Sequence, residues 1–185
     1  MIECINYALR IPGLRRKLLF GFFALVIFRF GYAIYVPYVD TKALADVFKQ
    51  YSDTLLGYFN TLSGGGFSQA SIFALSVYPY INSSIIMQLL QVAIPALERM
   101  VKDGGEEGRK KLASITRYVT IALSLLMGWT YYIMLRTSGV LTRTDLWSAI
   151  VIILTFTAGS SFIMWLGEQI NSKGVGNGIS LILFA

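Results

Sequence analysis

Between Asp53 and Glu98 the chain carries no charged residue, a run of 44 positions. As one helix at ~1.5 Å per residue, such a run reaches roughly twice the ~30 Å hydrocarbon depth of a bilayer. It is not uniform. Gly64, Gly65 and Gly66 interrupt it, and Ser76, Pro79, Tyr80, Asn82, Ser83, Ser84, Gln88 and Gln91 stand among the apolar residues that follow. A lipid-facing anchor has no use for so many polar groups. Broken, polar helices at membrane depth are tolerated where they face protein or water. The pattern predicts a short re-entrant helix within 54–69, a glycine hinge, and a spanning helix over 70–97. Ser68, Gln69 and Ser71 are candidate caps for that helix. Pro79 removes a bond to the Leu75 carbonyl and predicts a kink.

Other uncharged runs, 18–39 broken only by Arg29, 118–135 and 146–167, predict further spans over 18–39, 113–135 and 146–167. Each fits the ~17–25 residues a spanning helix needs. Ile152, within the last, is expected to face lipid. The run 174–185 is too short to span and has no cap, so the chain is expected to stop inside a helix and to be a fragment. At the other end Ile2, Ile5 and Leu9 repeat at helical spacing ahead of Arg10, Arg15, Arg16 and Lys17. Residues 1–17 therefore read either as a helix lying on the membrane surface or as a frayed tail. The apolar run that follows exceeds a signal-peptide core, and no small-residue cleavage site succeeds it.

The order of the runs alternates the loops between two sides if 54–97 crosses once. Segments 1–17, 98–117 and 168–173 then carry eleven Lys or Arg, and 40–53 and 136–145 carry four. By the positive-inside rule the N-terminus is cytoplasmic. Two crossings within 54–97 would move the basic loop 98–117 outside. Composition agrees: 55% of residues are hydrophobic, 14% charged, and mean hydropathy is +0.61. The chain has no His and one Cys, Cys4. An internal disulfide, a Cys-cluster metal site and His-based catalysis are thereby excluded. The net charge of +6 lies in loops that fix orientation and does not call for nucleic acid.

Within the predicted helix after the hinge, Ser76, Tyr80, Ser84, Gln88 and Gln91 follow one helical stripe, and Val77, Ile81 and Ile85 the neighbouring one. This is either a polar wall beside an apolar constriction or polar glue between packed helices. Arg29 is expected to pack against other helices or to snorkel. Glu106 and Glu107, beside Arg109, Lys110 and Lys111, read as a solvated turn and helix cap. The three basic residues set orientation and are also candidates to contact anionic lipid or a cytoplasmic partner. Gly174, Gly176 and Gly178 follow no strand, so a tight turn is expected there and not a dinucleotide loop.

Three groups of residues carry a resemblance. They are Ser71-Ile72-Phe73-Ala74-Leu75, Pro79-Tyr80-Ile81 and Ser84-Ile85-Ile86-Met87-Gln88-Leu89-Leu90; Gly105-Glu106-Glu107-Gly108-Arg109-Lys110-Lys111 with Thr116-Arg117-Tyr118; and Met164-Trp165-Leu166-Gly167-Glu168-Gln169-Ile170 with Gly174-Val175-Gly176-Asn177-Gly178-Ile179-Ser180. In this order they resemble the SecY family of protein-conducting channels, over about residues 18–185.

The resemblance implies an all-α polytopic membrane fold: helices one to four and the start of five in a ten-helix channel of two inverted five-helix halves. It implies a plug formed by Tyr58, Phe59, Asn60, Thr61, Leu62, Ser63, Gly64, Gly65, Gly66, Phe67 and Ser68. Val77, Ile81, Ile179 and Leu183 would contribute to an apolar pore ring. Ser84, Ile85, Gln88 and Gln91 would line a lateral gate, where helices two and three part. The implied function is passage of unfolded secretory polypeptides across, and of membrane proteins sideways into, a bacterial cytoplasmic (inner) membrane. No enzyme activity, cofactor or metal is implied. The implied partners are small membrane subunits of the SecE and SecG type, the SecA motor ATPase or a ribosome, signal sequences, nascent chains and lipid. Pro37-Tyr38 stands where the family often has Pro-Gly, Ser76 where a glycine is usual, and Tyr78 where a methionine is common. Gly66, Phe67 and Gln69 replace small, aliphatic and basic plug residues. The alternative reading is a secondary transporter with discontinuous helices, although no span carries a carboxylate.

Overall fold

A computed structural model describes residues 12–51 and 53–184; Phe59 and Leu62, among others, are described by their backbone. Ile2, Cys4, Ile5, Leu9 and Arg10, and the surface-helix reading that rests on them, lie outside the described residues. Among the described residues eight helices follow in order: α1 Pro12–Tyr32, α2 Thr41–Gln50, α3 Leu55–Leu62, α4 Tyr78–Ala93, α5 Pro95–Asp103, α6 Gly105–Thr137, α7 Leu146–Lys173 and α8 Gly178–Phe184. Among the described residues the extended pairings are isolated bridges, Tyr35 with Ser71 and Val39 with Leu141. The fold is all-α.

Helices α6 and α7 are each long and apolar enough to cross a membrane, and α4 with α5 forms a bent pair that is either a third, broken span or a re-entrant element. At 33 residues α6 is about 50 Å long, well beyond the bilayer core. The apolar window of α7 is 56% buried against 33% for that of α6, so α7 is the central helix and α6 more peripheral. Ile152 is fully buried on α7, contrary to the lipid-facing expectation, because α6, α2 and the segment after the hinge cover that face.

The segment 70–77 differs most from the helix expected over 70–97. It is a succession of turns, and α4 begins at Tyr78. Ala70 and Ser76 adopt left-handed φ of 46° and 48°, which a continuing helix does not allow. Pro79 consequently falls in the first turn of α4, where its missing N–H costs nothing, and no kink results. Nor do Ser68 and Ser71 cap a helix. The Ser68 N–H donates to Asn60 Oδ1, and Ser71 Oγ donates to the Gly31 carbonyl. Non-helical backbone at membrane depth must be satisfied by protein. Here Val36 N–H donates to the Ala70 carbonyl, Ile72 N–H to Ile34, Ala74 N–H to Ser71 and Ser76 N–H to Phe73.

This segment joins two cores. On one side Leu75 packs with Leu44 and Phe48 of α2, Tyr131 and Leu135 of α6, and Ile152 and Phe156 of α7. On the other, Phe73 and Val77 pack with Ala24 and Phe28 of α1, Ile163, Leu166 and Ile170 of α7, and Ile182 of α8. Two glycines permit the close approaches. A Cβ on Gly159 of α7 would overlap the Ile72 carbonyl oxygen, and one on Gly31 would overlap the Phe73 ring.

The remaining boundaries follow local chemistry. Helix α1 stops at Tyr32, short of residue 39, and the chain continues extended to pair with the segment above. Arg15, Arg16 and Lys17 stand on α1 itself. Asp40 Oδ1 accepts from the N–H groups of Lys42 and Ala43 and caps α2. Helix α4 ends at Ala93, and Pro95 opens α5 at 97° to it. Glu106 and Glu107 occupy the first turn of α6, where negative charge suits the helix dipole. Gly108 lets α6 pass against the Met100 carbonyl of α5. Helix α7 runs through Glu168 to Lys173, and Gly176 at φ +81° turns the chain into α8, whose start Asn177 Oδ1 caps.

Candidate functional site

Three of the four expected ring residues come together. Val77, 1% exposed, lies inside the second core, with Ile81 and Ile179 partly buried at its edge. Val77 precedes α4, and its carbonyl accepts the Ile81 N–H as the first turn closes. Leu183, at 45% exposure, stands apart. It lines a cavity of about 30 Å³ together with Arg29, Tyr32, Ser63, Gly64 and Ser76. That volume is room for about one water molecule. The cavity thus brings the end of α3 next to α8 and to Arg29, which sits in the last turn of α1, where a cation suits the helix dipole.

The loop after α3 is held by many bonds. Gly65 N–H donates to the Asn60 carbonyl, Ser68 N–H to Asn60 Oδ1, and Ser68 Oγ to the Gly65 carbonyl. Tyr32 Oη donates to the Ser63 carbonyl at 2.5 Å, and Tyr131 Oη to the Phe67 carbonyl at 2.5 Å. The sequence offered no pointer to either tyrosine, since each donates to backbone distant in the chain.

Tyr38 and Ser76, two positions where the resemblance led one to expect glycine, are both left-handed, at φ 67° and 48°. Only glycine occupies that region without steric cost. Ser76→Gly relieves that strain but also removes the buried hydroxyl that hydrogen-bonds Tyr32, so its stability in detergent is expected to stay within about 1 kcal/mol of the parent. A larger shift of the unfolding midpoint in either direction would contradict this. Tyr38 packs against the first core, so the same change there also removes contacts.

On α4 the residues expected to line a gate are not the buried ones. Ser83 and Met87 are buried, and Ser83 meets α6. Ser83 Oγ and Thr120 Oγ1 lie 2.5 Å apart, both groups fully buried. Around the opposite face Ile85 and Gln88 are exposed and Ser84 and Gln91 half-buried, with Gln88 Nε2 donating to Ser84 Oγ. Helices two and three, α4 and α6, are therefore packed together in this structure, where the resemblance implies that they part. Thr120→Val leaves Ser83 Oγ its bond to the Tyr80 carbonyl. A double-mutant cycle with Ser83→Ala is accordingly expected to give a coupling of about 0.6 kcal/mol, the average for such intramembrane pairs.

Where α6 meets the far end of α7, Arg117 donates through Nε to Glu168 Oε1 at 2.9 Å, with Nη2 2.9 Å from Oε2. The paired fork is specific, but Arg117 is half-exposed, which limits its worth to about 1 kcal/mol. Arg109, Lys110 and Lys111 are exposed near the start of α6, where Lys111 pairs with Glu107 at 3.2 Å. Among the described residues no three His, Cys, Asp or Glu side chains converge to hold a metal.

Comparison with known proteins gives this arrangement its context. Residues 71–185 match the family model described as SecY. The chain is 44% identical over 169 residues to the protein translocase subunit SecY of Pseudomonas aeruginosa, covering 91% of this chain and 38% of that one. It is 42% identical to the Bacillus subtilis SecY (100% and 43% covered) and 41% identical to that of Escherichia coli K12 (93% and 40%). The chain therefore spans about two fifths of the length of these relatives. Among solved structures it resembles Sec61 in the canine ribosome-channel complex from the endoplasmic reticulum, at TM-score 0.64 and 17% identity, over 91% of this chain and 35% of that one. It also resembles a chain described as the structure of a protein conducting channel, at TM-score 0.63 and 18% identity, with the same coverage. At these identities the two structures speak to fold alone.

Proposed function

Because the chain belongs to the SecY family, we propose that it forms the N-terminal half of a membrane channel that conducts unfolded polypeptides. The observation that carries the proposal is the cluster of Val77, Ile81 and Ile179 beside the end of α3 and its glycine hinge. Branched apolar side chains surrounding a pore grip a moving chain without demanding sequence, and when they close they exclude water and ions by dewetting. In this reading residues 58–68 are the plug and Leu183 completes this half of the ring. The gate to lipid opens along the outer face of α4, with Ser84, Ile85, Gln88 and Gln91, while α4 and α6 move as one body.

The channel is passive and takes its energy from a partner, a SecA-type ATPase or a translating ribosome. The exposed Arg109, Lys110 and Lys111 offer that partner or anionic lipid a cationic tip. Small membrane subunits of the SecE and SecG type complete the assembly in the bacterial cytoplasmic membrane, with the N-terminus cytoplasmic, as the distribution of basic residues favours.

A photo-reactive residue at Ile81 of the complete channel is expected to crosslink to a secretory polypeptide stalled in transit. Leu154, 55% exposed on α7, is the lipid-facing control. Crosslinks at Ile81 and none at Leu154 support the ring. Equal crosslinking at both positions, or none at Ile81 despite confirmed stalling, removes it. Ion-coupled solute uptake by the purified channel would replace this reading with that of a secondary transporter.

A further inference from the structure

Two tyrosine hydroxyls hold the backbone on either side of the glycine triplet. Tyr32, in the last turn of α1, donates to the Ser63 carbonyl, and Tyr131, on α6, to the Phe67 carbonyl. Both rings are buried, at 9% and 4% exposure. Between the two grips the backbone has room to turn. Gly64 and Gly65 sit at φ 63° and 85°, and a Cβ built at either meets nothing within 4 Å. Gly66 does not share this freedom, since its Cβ would lie 2.7 Å from the Tyr32 ring and 3.2 Å from Ala74 Cα.

The two grips are unequal. On the Tyr131 side the loop is continuous with the first core. The Phe67 and Tyr131 rings pack edge to face at 5.0 Å, and Tyr131 packs in turn on Phe156 at 4.9 Å. Ala70 is fully buried just downstream, and Ser71 N–H donates to the Gly66 carbonyl. On the Tyr32 side the gripped carbonyl terminates an eight-residue helix with Tyr58 and Thr61 exposed, beside the small cavity lined by Arg29 and Leu183.

We propose that Tyr32 is the latch, and Tyr131 the anchor, of a pivot at Gly64 and Gly65. When α3 leaves its seat the Tyr32–Ser63 bond breaks and the Tyr131–Phe67 bond persists, so the helix swings out on a fixed hinge and returns to the same place. The bonds inside the loop, from Ser68 N–H to Asn60 Oδ1 and from Gly66 N–H to the Ser63 carbonyl, exchange for water as it moves. The inference rests on reading 58–68 as the plug. Both tyrosines are positioning residues, acting through the backbone they hold.

The test is the resting ion conductance of the complete channel in planar bilayers, with thermal unfolding measured alongside. Three variants are compared with the parent: Tyr32→Phe, Tyr131→Phe and excision of 58–68. Tyr32→Phe is expected to raise resting conductance roughly two- to tenfold, the shift one neutral hydrogen bond supports. Tyr131→Phe gives up an equally short bond and so controls for general loosening; its conductance is expected to stay at the parent level. Equal conductance in both tyrosine variants, raised or not, overturns the division into latch and anchor if the excised channel leaks. Should Tyr131→Phe fail to fold, Tyr32→Phe still decides, because parental conductance beside a leaking excised channel overturns the latch. If the excised channel itself does not leak, the plug reading fails and the proposal falls with it.

Discussion

Replacing Gly159 by valine is expected to prevent the chain from reaching its native packing. Helix α7 crosses the turn segment at this residue, where an added Cβ would overlap the Ile72 carbonyl oxygen and lie 3.0 Å from its carbon. The obstacle is backbone. The N–H of the same peptide unit, that of Phe73, donates to Ser71 Oγ, and the Ile72 N–H donates to the Ile34 carbonyl, so the unit is held on both sides. Overpacking against yielding side chains already costs about 1–3 kcal/mol. A β-branched group against a fixed carbonyl costs more, a large part of the roughly 5–15 kcal/mol that holds a domain together. Gly21→Val is the matched control, because nothing lies within 4 Å of a Cβ at Gly21 of α1. The measurement is the yield of monodisperse protein in detergent and its unfolding midpoint. A Gly159→Val protein that melts like the Gly21→Val control would mean that α7 does not pass this close to Ile72.

Substituting asparagine at both Ile81 and Ile179 is expected to raise the resting ion conductance of the complete channel by about tenfold or more. The two residues sit at the accessible edge of the cluster formed by Val77, Ile163 and Ile182. An apolar constriction is dry because its walls offer water no hydrogen bonds, and two amides facing it remove that barrier. Val77 is a poor choice for the same test: at 1% exposure a polar group there strikes the core before the pore. Parental conductance in a double variant that folds and assembles would count against these residues as the seal.

The all-α membrane architecture could be read from charge placement alone, because burying charge in lipid is costly enough to clear it from whole helices. The uncharged runs 118–135 and 146–167 lie inside α6 and α7. The segment 70–77 could not be read in this way. Its composition is that of a helix, but its conformation is set by partners far away in sequence: Gly31 of α1, Ile34 just beyond it and Gly159 of α7. Pro79 misled for the same reason. A proline kinks a helix or begins one depending on whether helix precedes it, and left-handed Ser76 decides that. Ile152 is one of many apolar residues along α7, and the weak periodicity of that helix does not distinguish its buried face from its exposed one. Of the candidate site, the apolar pair at Val77 and Ile81 and the glycine hinge were visible as residues. The hydroxyl contacts that order them, Tyr32 to Ser63, Tyr131 to Phe67 and Ser83 to Thr120, join positions with no local pattern.

The turn segment also has a consequence for how the chain is made. Ser160 Oγ lies 3.5 Å from the Ser76 carbonyl oxygen, a contact across 84 positions, and Gly159 seats itself on the same stretch. At roughly 5–20 residues per second a ribosome takes on the order of ten seconds to cover that interval. Throughout that interval the newborn segment already has its partners at Gly31 and Ile34 but not those of α7. Its final seating is therefore tied to the arrival of α7 and not to its own emergence. A pause in synthesis between these two regions would hold the nascent protein with its central seam open, and the moment of closure would be set by translation speed.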